Sequence, residues 1–76
     1  MSEFPAHRHG RVAAFDEHRG RGEIESDHDR FPFHCIEITD GSRTIDVGAA
    51  VDFEVVAGPL GRWEAGAIER TDRGER

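Results

Sequence analysis

The chain has no tyrosine, lysine or asparagine, one methionine, one tryptophan (Trp63) and one cysteine (Cys35). A single cysteine cannot close an internal disulfide, which excludes the stapled frameworks of small secreted domains. In a reducing compartment Cys35 reads as a small buried hydrophobe. No apolar run approaches the ~18 residues of a membrane-spanning helix, so no membrane association is expected. The opening Met1-Ser2-Glu3-Phe4-Pro5 has neither the basic start nor the apolar stretch of a secretory signal, and a cytoplasmic location is expected. All ten basic residues are arginine. Because the missing residue types have AT-rich codons, a GC-rich genome explains this without any chemical requirement.

What remains is 76 residues, enough for one small domain and too few for a second core, which excludes a two-domain enzyme. Leu, Ile, Val and Phe together make up about 21% of the chain, just above the level at which charged sequences fail to fold, so patterning must decide for order. The net charge of -6 argues against a general polyanion binder, yet the charge is uneven. Arg8, Arg11, Arg19 and Arg21 face only Asp16 and Glu17 between residues 7 and 22, with His7, His9 and His18 beside them. A polyanion would meet this first quarter of the folded chain.

The patterning is that of strands. Val51, Phe53 and Val55 alternate with Asp52 and Glu54, and Phe31 and Phe33 alternate with Pro32 and His34. Further strand signals lie at residues 11–15, 22–25 and 62–69, and nothing sustains a helical period. The apolar parity shifts after Phe33 to Ile36 and Ile38, which predicts that the third strand bulges or ends near Cys35. Turn-forming clusters separate the segments: Arg19-Gly20-Arg21-Gly22, Asp27-His28-Asp29, Thr39-Asp40-Gly41-Ser42 and Gly58-Pro59-Leu60-Gly61. Five short strands at this spacing predict an all-β fold, a small five-stranded antiparallel barrel over residues 10–69. Closure also removes the exposed sheet edges that a domain this small cannot protect. Residues 1–9 and 70–76 are polar and read as flexible tails.

Gly10-Arg11-Val12-Ala13-Ala14-Phe15-Asp16, followed by Arg19-Gly20-Arg21-Gly22-Glu23-Ile24, resembles the cold-shock domain family, whose members carry G-K-V-K-W-F-N and then K-G-F-G-F-I. Phe31-Pro32-Phe33-His34 stands where the family has V-F-V-H, Ile38 where it has the isoleucine of S-A-I, and Gly48 to Phe53 where it has G-x-x-V-x-F. The resemblance implies an OB-type barrel that binds single-stranded RNA and DNA across its first three strands, with Val12, Ile24, Phe31, Phe33, Ile38, Val51, Phe53 and Val55 facing inward. It also implies where this chain departs from the family. The tryptophan position holds Ala14, the two phenylalanines of K-G-F-G-F are Arg21 and Glu23, that of V-F-V-H is Pro32, and the ring after the histidine is Cys35. Only Phe15 and His34 remain of the stacking set.

Stacking on such rings contributes ~1 to 3 kcal/mol per base. Its loss predicts weak single-strand binding through Arg11, Phe15, Arg19, Arg21 and His34, with arginine–phosphate contacts replacing much of the stacking. Glu23, Glu25, Asp27 and Asp29 share one parity and, while the chain is extended, point toward that same face, where they repel a polyanion. The alternative function is a cold-shock-like barrel turned to protein interaction, its acidic face meeting a basic partner. Trp63 reads as cover over one end of the barrel, or as the anchor of such a partner.

His34 and Cys35 are strand neighbours pointing to opposite faces, with no third group to orient them, so no catalytic pair is read and no enzyme is expected. The histidines lack a second ligand pair at zinc spacing, and no metal or cofactor is expected.

Overall fold

The computed structural model describes residues 7–71. The alternating segments form five strands: β1 (His7–Asp16), β2 (Arg21–Ser26), β3 (Asp29–His34), β4 (Ala50–Ala57) and β5 (Trp63–Arg70). They make one antiparallel sheet in the order β3-β2-β1-β4-β5. Its two outer strands, β3 and β5, pack against each other, and Ile38 bridges Ile68 in parallel, so the sheet curls into a five-stranded OB-type barrel. Among the described residues, no helix is long and apolar enough to cross a membrane.

β1 begins at His7, three residues ahead of the expected barrel boundary. His7, Arg8 and His9 pair with Glu54, Phe53 and Asp52 of β4, and His9 Nδ1 lies 2.8 Å from Asp52 Oδ1. These residues have little apolar surface to bury, but β4 gives their backbone groups hydrogen-bonding partners, and that is what orders a polar segment here. At the other end β5 runs through Arg70. The rest of the expected tails, residues 1–6 and 72–76, lies outside the described residues.

All eight residues expected to face inward are buried, and Phe53, Ile24, Val12 and Val51 are almost completely excluded from solvent. Cys35, Ile45, Ala49, Ala65 and Ile68 complete the core. β3 ends at His34, and Cys35–Glu37 form a short 3-10 turn whose first residue points inward while Ile36 is exposed. The parity change after Phe33 is therefore a strand end.

Two bulges set which side chains reach which face. Between Val12 and Ala14 the register on β2 advances only from Ile24 to Glu23, so β1 carries one extra residue, Ala13. Without it Ala14 would share the inward side of Val12; with it Ala14 turns outward and Phe15 turns in. The second bulge lies in β5, where Gly66 and Glu69 face Glu54 and Asp52 and Ala67 takes a left-handed φ of 48°. The Glu37 carboxylate accepts a hydrogen bond from the Ala67 amide at 3.2 Å, which anchors the 3-10 turn on this bulge.

Candidate nucleic-acid interface

Facing residues of an antiparallel ladder point the same way, so the register builds the outer face of β1, β2 and β3 row by row. One row is Asp16, Arg21 and His34, the next is Ala14, Glu23 and Pro32, and the third is Arg11, Glu25 and Arg30. Beneath them runs the inward row Phe15, Gly22 and Phe33. The Phe33 ring lies so close to Gly22 that a Cβ there would stand 2.7 Å from it. Phe15 stacks on Phe33 at the rim of the barrel, half-buried against the core.

A groove of about 670 Å³ opens over this end of the sheet. Phe15, Arg19, Arg21 and His34 all line it, with Ala14, Glu23 and Pro32 in its floor. Its other wall is Pro59, Arg62 and Glu64, from the β4–β5 connection and the start of β5. Four of the five residues expected at the site are thus brought together. Arg11 is not: it stands on the third row, beyond the groove, and its guanidinium donates to the Gly48 carbonyl at 2.9 Å. Arg62 is a further groove residue: the sequence pattern reads it as the first residue of the fifth strand, away from the site, whereas it caps the β4–β5 connection one residue before β5.

The β1–β2 turn positions Arg19. The Asp16 carboxylate accepts hydrogen bonds from the amides of His18 and Arg19 at 3.0 and 3.2 Å, closing the turn on its own side chain. Gly20 follows with φ of 67°, and its carbonyl accepts from the Cys35 amide at 2.7 Å, which docks the turn against the end of β3. Across the same strand end, His34 Nδ1 accepts from the Ile36 amide at 3.3 Å. A neutral His34 ring therefore carries its proton on Nε2.

Arg19, Arg21 and Arg62 share the groove with Asp16, Glu23 and Glu64, so its formal charge is balanced. Glu23 is held by Arg30, whose Nη1 donates to Glu23 Oε1 at 2.8 Å. That hydrogen bond, with the added charges of Glu23 and Glu25, raises the Arg30 pKa above the ordinary arginine value. The repulsion expected from Glu23 is offset locally by this neighbour.

The acidic run does not stay on one face. Glu23 and Glu25 point outward, but the chain reverses at Asp27-His28 and Ser26 pairs with Asp29, so Asp29 falls on the inward side with Phe31 and Phe33. Asp27, at φ of 56°, and Asp29 ion-pair with Arg8 at 3.2 and 3.5 Å. The Arg8 guanidinium lies 5.1 Å from the centre of the Phe31 ring. Two of the four carboxylates thus close one end of the barrel and do not border the groove. Trp63, read as cover, is 52% exposed and lines a second cavity of about 500 Å³ with Arg8, Arg30, Phe31, Pro32 and Arg62.

No family model matches the sequence, and no curated protein matches it. Among solved structures the chain is similar to Drosophila Unr CSD456, with a TM-score of 0.72 and 28% sequence identity. The match covers 92% of this chain and 29% of that one, so the present chain spans less than a third of its length. The five-stranded order, the barrel closure and a sequence likeness running through nearly the whole chain together identify it as a divergent cold-shock domain.

Proposed function

We propose that this domain binds single-stranded RNA or DNA weakly, along the groove over β1, β2 and β3. The observation that carries the reading is the convergence of Phe15, Arg19, Arg21 and His34 on one open groove of a cold-shock barrel. Arg19, Arg21 and Arg62 would fork onto phosphate oxygens, and the exposed part of Phe15, the face of Pro32 and the His34 ring would meet bases. Balanced charge and missing rings both point to low affinity. This is a binding module and not an enzyme.

Anisotropy titration of a labelled, unstructured oligonucleotide at increasing salt tests this. Weak binding that fades by ~0.7 log units per log unit of salt for each neutralised phosphate supports it. Salt-insensitive binding, or none at low salt, contradicts it.

The outer face of β4 and β5 supports a second reading, a basic protein partner. Asp52 faces Glu69 across the two strands, Glu54 lies on the same side, and the exposed Val56 stands beside them. Opposite charge would steer such a partner to this face.

A further inference from the structure

We propose that Glu23 makes the groove a reader of guanine, so that single strands are held by their phosphates but ranked by a base. The inference rests on the single-strand reading above and adds a base preference to it. Glu23 occupies the middle of the row Ala14, Glu23 and Pro32, with a side chain of one carbon on one side and a flat ring on the other. Its carboxylate is the projecting polar group of this row, and it lines the groove floor between the strand that carries Phe15 and the strand that carries His34.

A carboxylate on a polyanion-binding face is expected to repel its ligand unless it is neutralised and has a hydrogen-bonding task. Both conditions are met here. Arg30 supplies the counter-charge through Oε1 at 2.8 Å, from the third row and outside the groove, so the pairing does not block the groove side. Glu23 Oε2 accepts no hydrogen bond among the described residues, and Oε1 keeps one lone pair beyond the one given to Arg30. The groove floor therefore presents a fixed acceptor-only pair of oxygens. Arg30 also holds its orientation, which lowers the entropy lost on binding.

The chemistry of the bases selects among ligands. Single strands expose their Watson–Crick edges to proteins. Guanine presents two adjacent donors there, the N1 hydrogen and the N2 amino group, which match the two oxygens of a carboxylate. Cytosine offers one amino group beside an acceptor nitrogen, adenine likewise, and uracil one N–H flanked by two carbonyls that a carboxylate repels. A well-formed bidentate contact discriminates by about 5- to 140-fold.

The test uses uridine nonamers carrying one central guanine, inosine, cytosine, adenine or uracil, measured by anisotropy competition. The parent protein should bind the guanine oligonucleotide about 5- to 140-fold more tightly than the uracil or adenine ones, with inosine, which lacks the N2 amino group, in between. Glu23→Gln removes a negative charge and frees Arg30, so it should strengthen binding of all five while the guanine-to-uracil ratio collapses toward one. Glu25→Gln removes the same charge outside the groove and should keep the ratio. A parental ratio near one, a preference for another base, or a ratio unchanged in Glu23→Gln overturns guanine reading while leaving single-strand binding in place. Collapse of the ratio in Glu25→Gln as well would assign it to charge and overturn the proposal. Binding to none of the five overturns both readings.

Discussion

Phe15 stacks on Phe33 with the two rings 7° from parallel and their centroids 5.9 Å apart. Phe33 is 3% exposed and belongs to the core, while Phe15 is half-buried at the rim and lines the groove. The pair ties the groove to the barrel interior, because one ring is held in the orientation the other dictates. Of Phe15 and His34, the two aromatic rings that line the groove beside the core residue Phe33, Phe15 is the one packed against the core.

Phe33→Ala should therefore harm both stability and the groove. Removing a buried phenylalanine costs ~3 to 5 kcal/mol, a large share of the stability of so small a domain. Thermal and chemical denaturation should show most molecules unfolded or a sharply lowered midpoint. An unchanged midpoint would remove Phe33 from the core.

Gly22→Ala tests the close packing beneath the face. A Cβ at this position would stand 2.7 Å from the Phe33 ring and 2.5 Å from the Ala14 carbonyl oxygen, so ring and strand must both give way. Overpacking of this kind costs ~1 to 3 kcal/mol. Denaturant titration should show that loss, and the Phe15 and Phe33 ring resonances should shift together. A variant as stable as the parent would mean that the rings do not lie over Gly22.

Ala14→Trp with Glu23→Phe would restore two rings at outward positions of one row and remove a carboxylate from the groove floor. Each stacked base contributes ~1 to 3 kcal/mol, so single-strand binding should tighten at least ~10-fold. Arg30 loses its partner in this variant and becomes available to phosphate, which adds to the gain. The Glu23–Arg30 pair is exposed to solvent and screened by it, so the loss of stability should be small. Isothermal titration with an unstructured oligonucleotide measures the effect. A folded double variant that binds no better than the parent would favour the protein-interaction reading.

The barrel was legible because β3 and β4 carry an apolar alternation that only one face can bury, and turn clusters mark off the shorter strand segments between and beside them. Legibility fails where that period fails. Ile45 lies in the irregular segment between β3 and β4 and carries no signal, while Arg62, which the pattern reads as opening the fifth strand, ends the β4–β5 connection instead. The acidic run was misjudged at Asp27, where a left-handed turn restarts the alternation and sends Asp29 to the inward side beside Arg8. Arg11 reads as a groove residue because it lies in the basic first quarter of the chain and in the first strand of the cold-shock resemblance. Only the register shows that it stands one row beyond the groove-lining residues. The Arg30 partnership that neutralises Glu23 joins two strands and could not be read from either alone.

If the β1–β3 groove is where single strands bind, an amide-shift titration with an unstructured oligonucleotide at low and moderate salt will show it. Fast-exchange shifts should cluster on Phe15, Arg19, Arg21, Glu23, His34 and Arg62 and shrink as salt rises. Shifts confined to the outer face of β4 and β5, or no shifts at low salt with the fold intact, would contradict it.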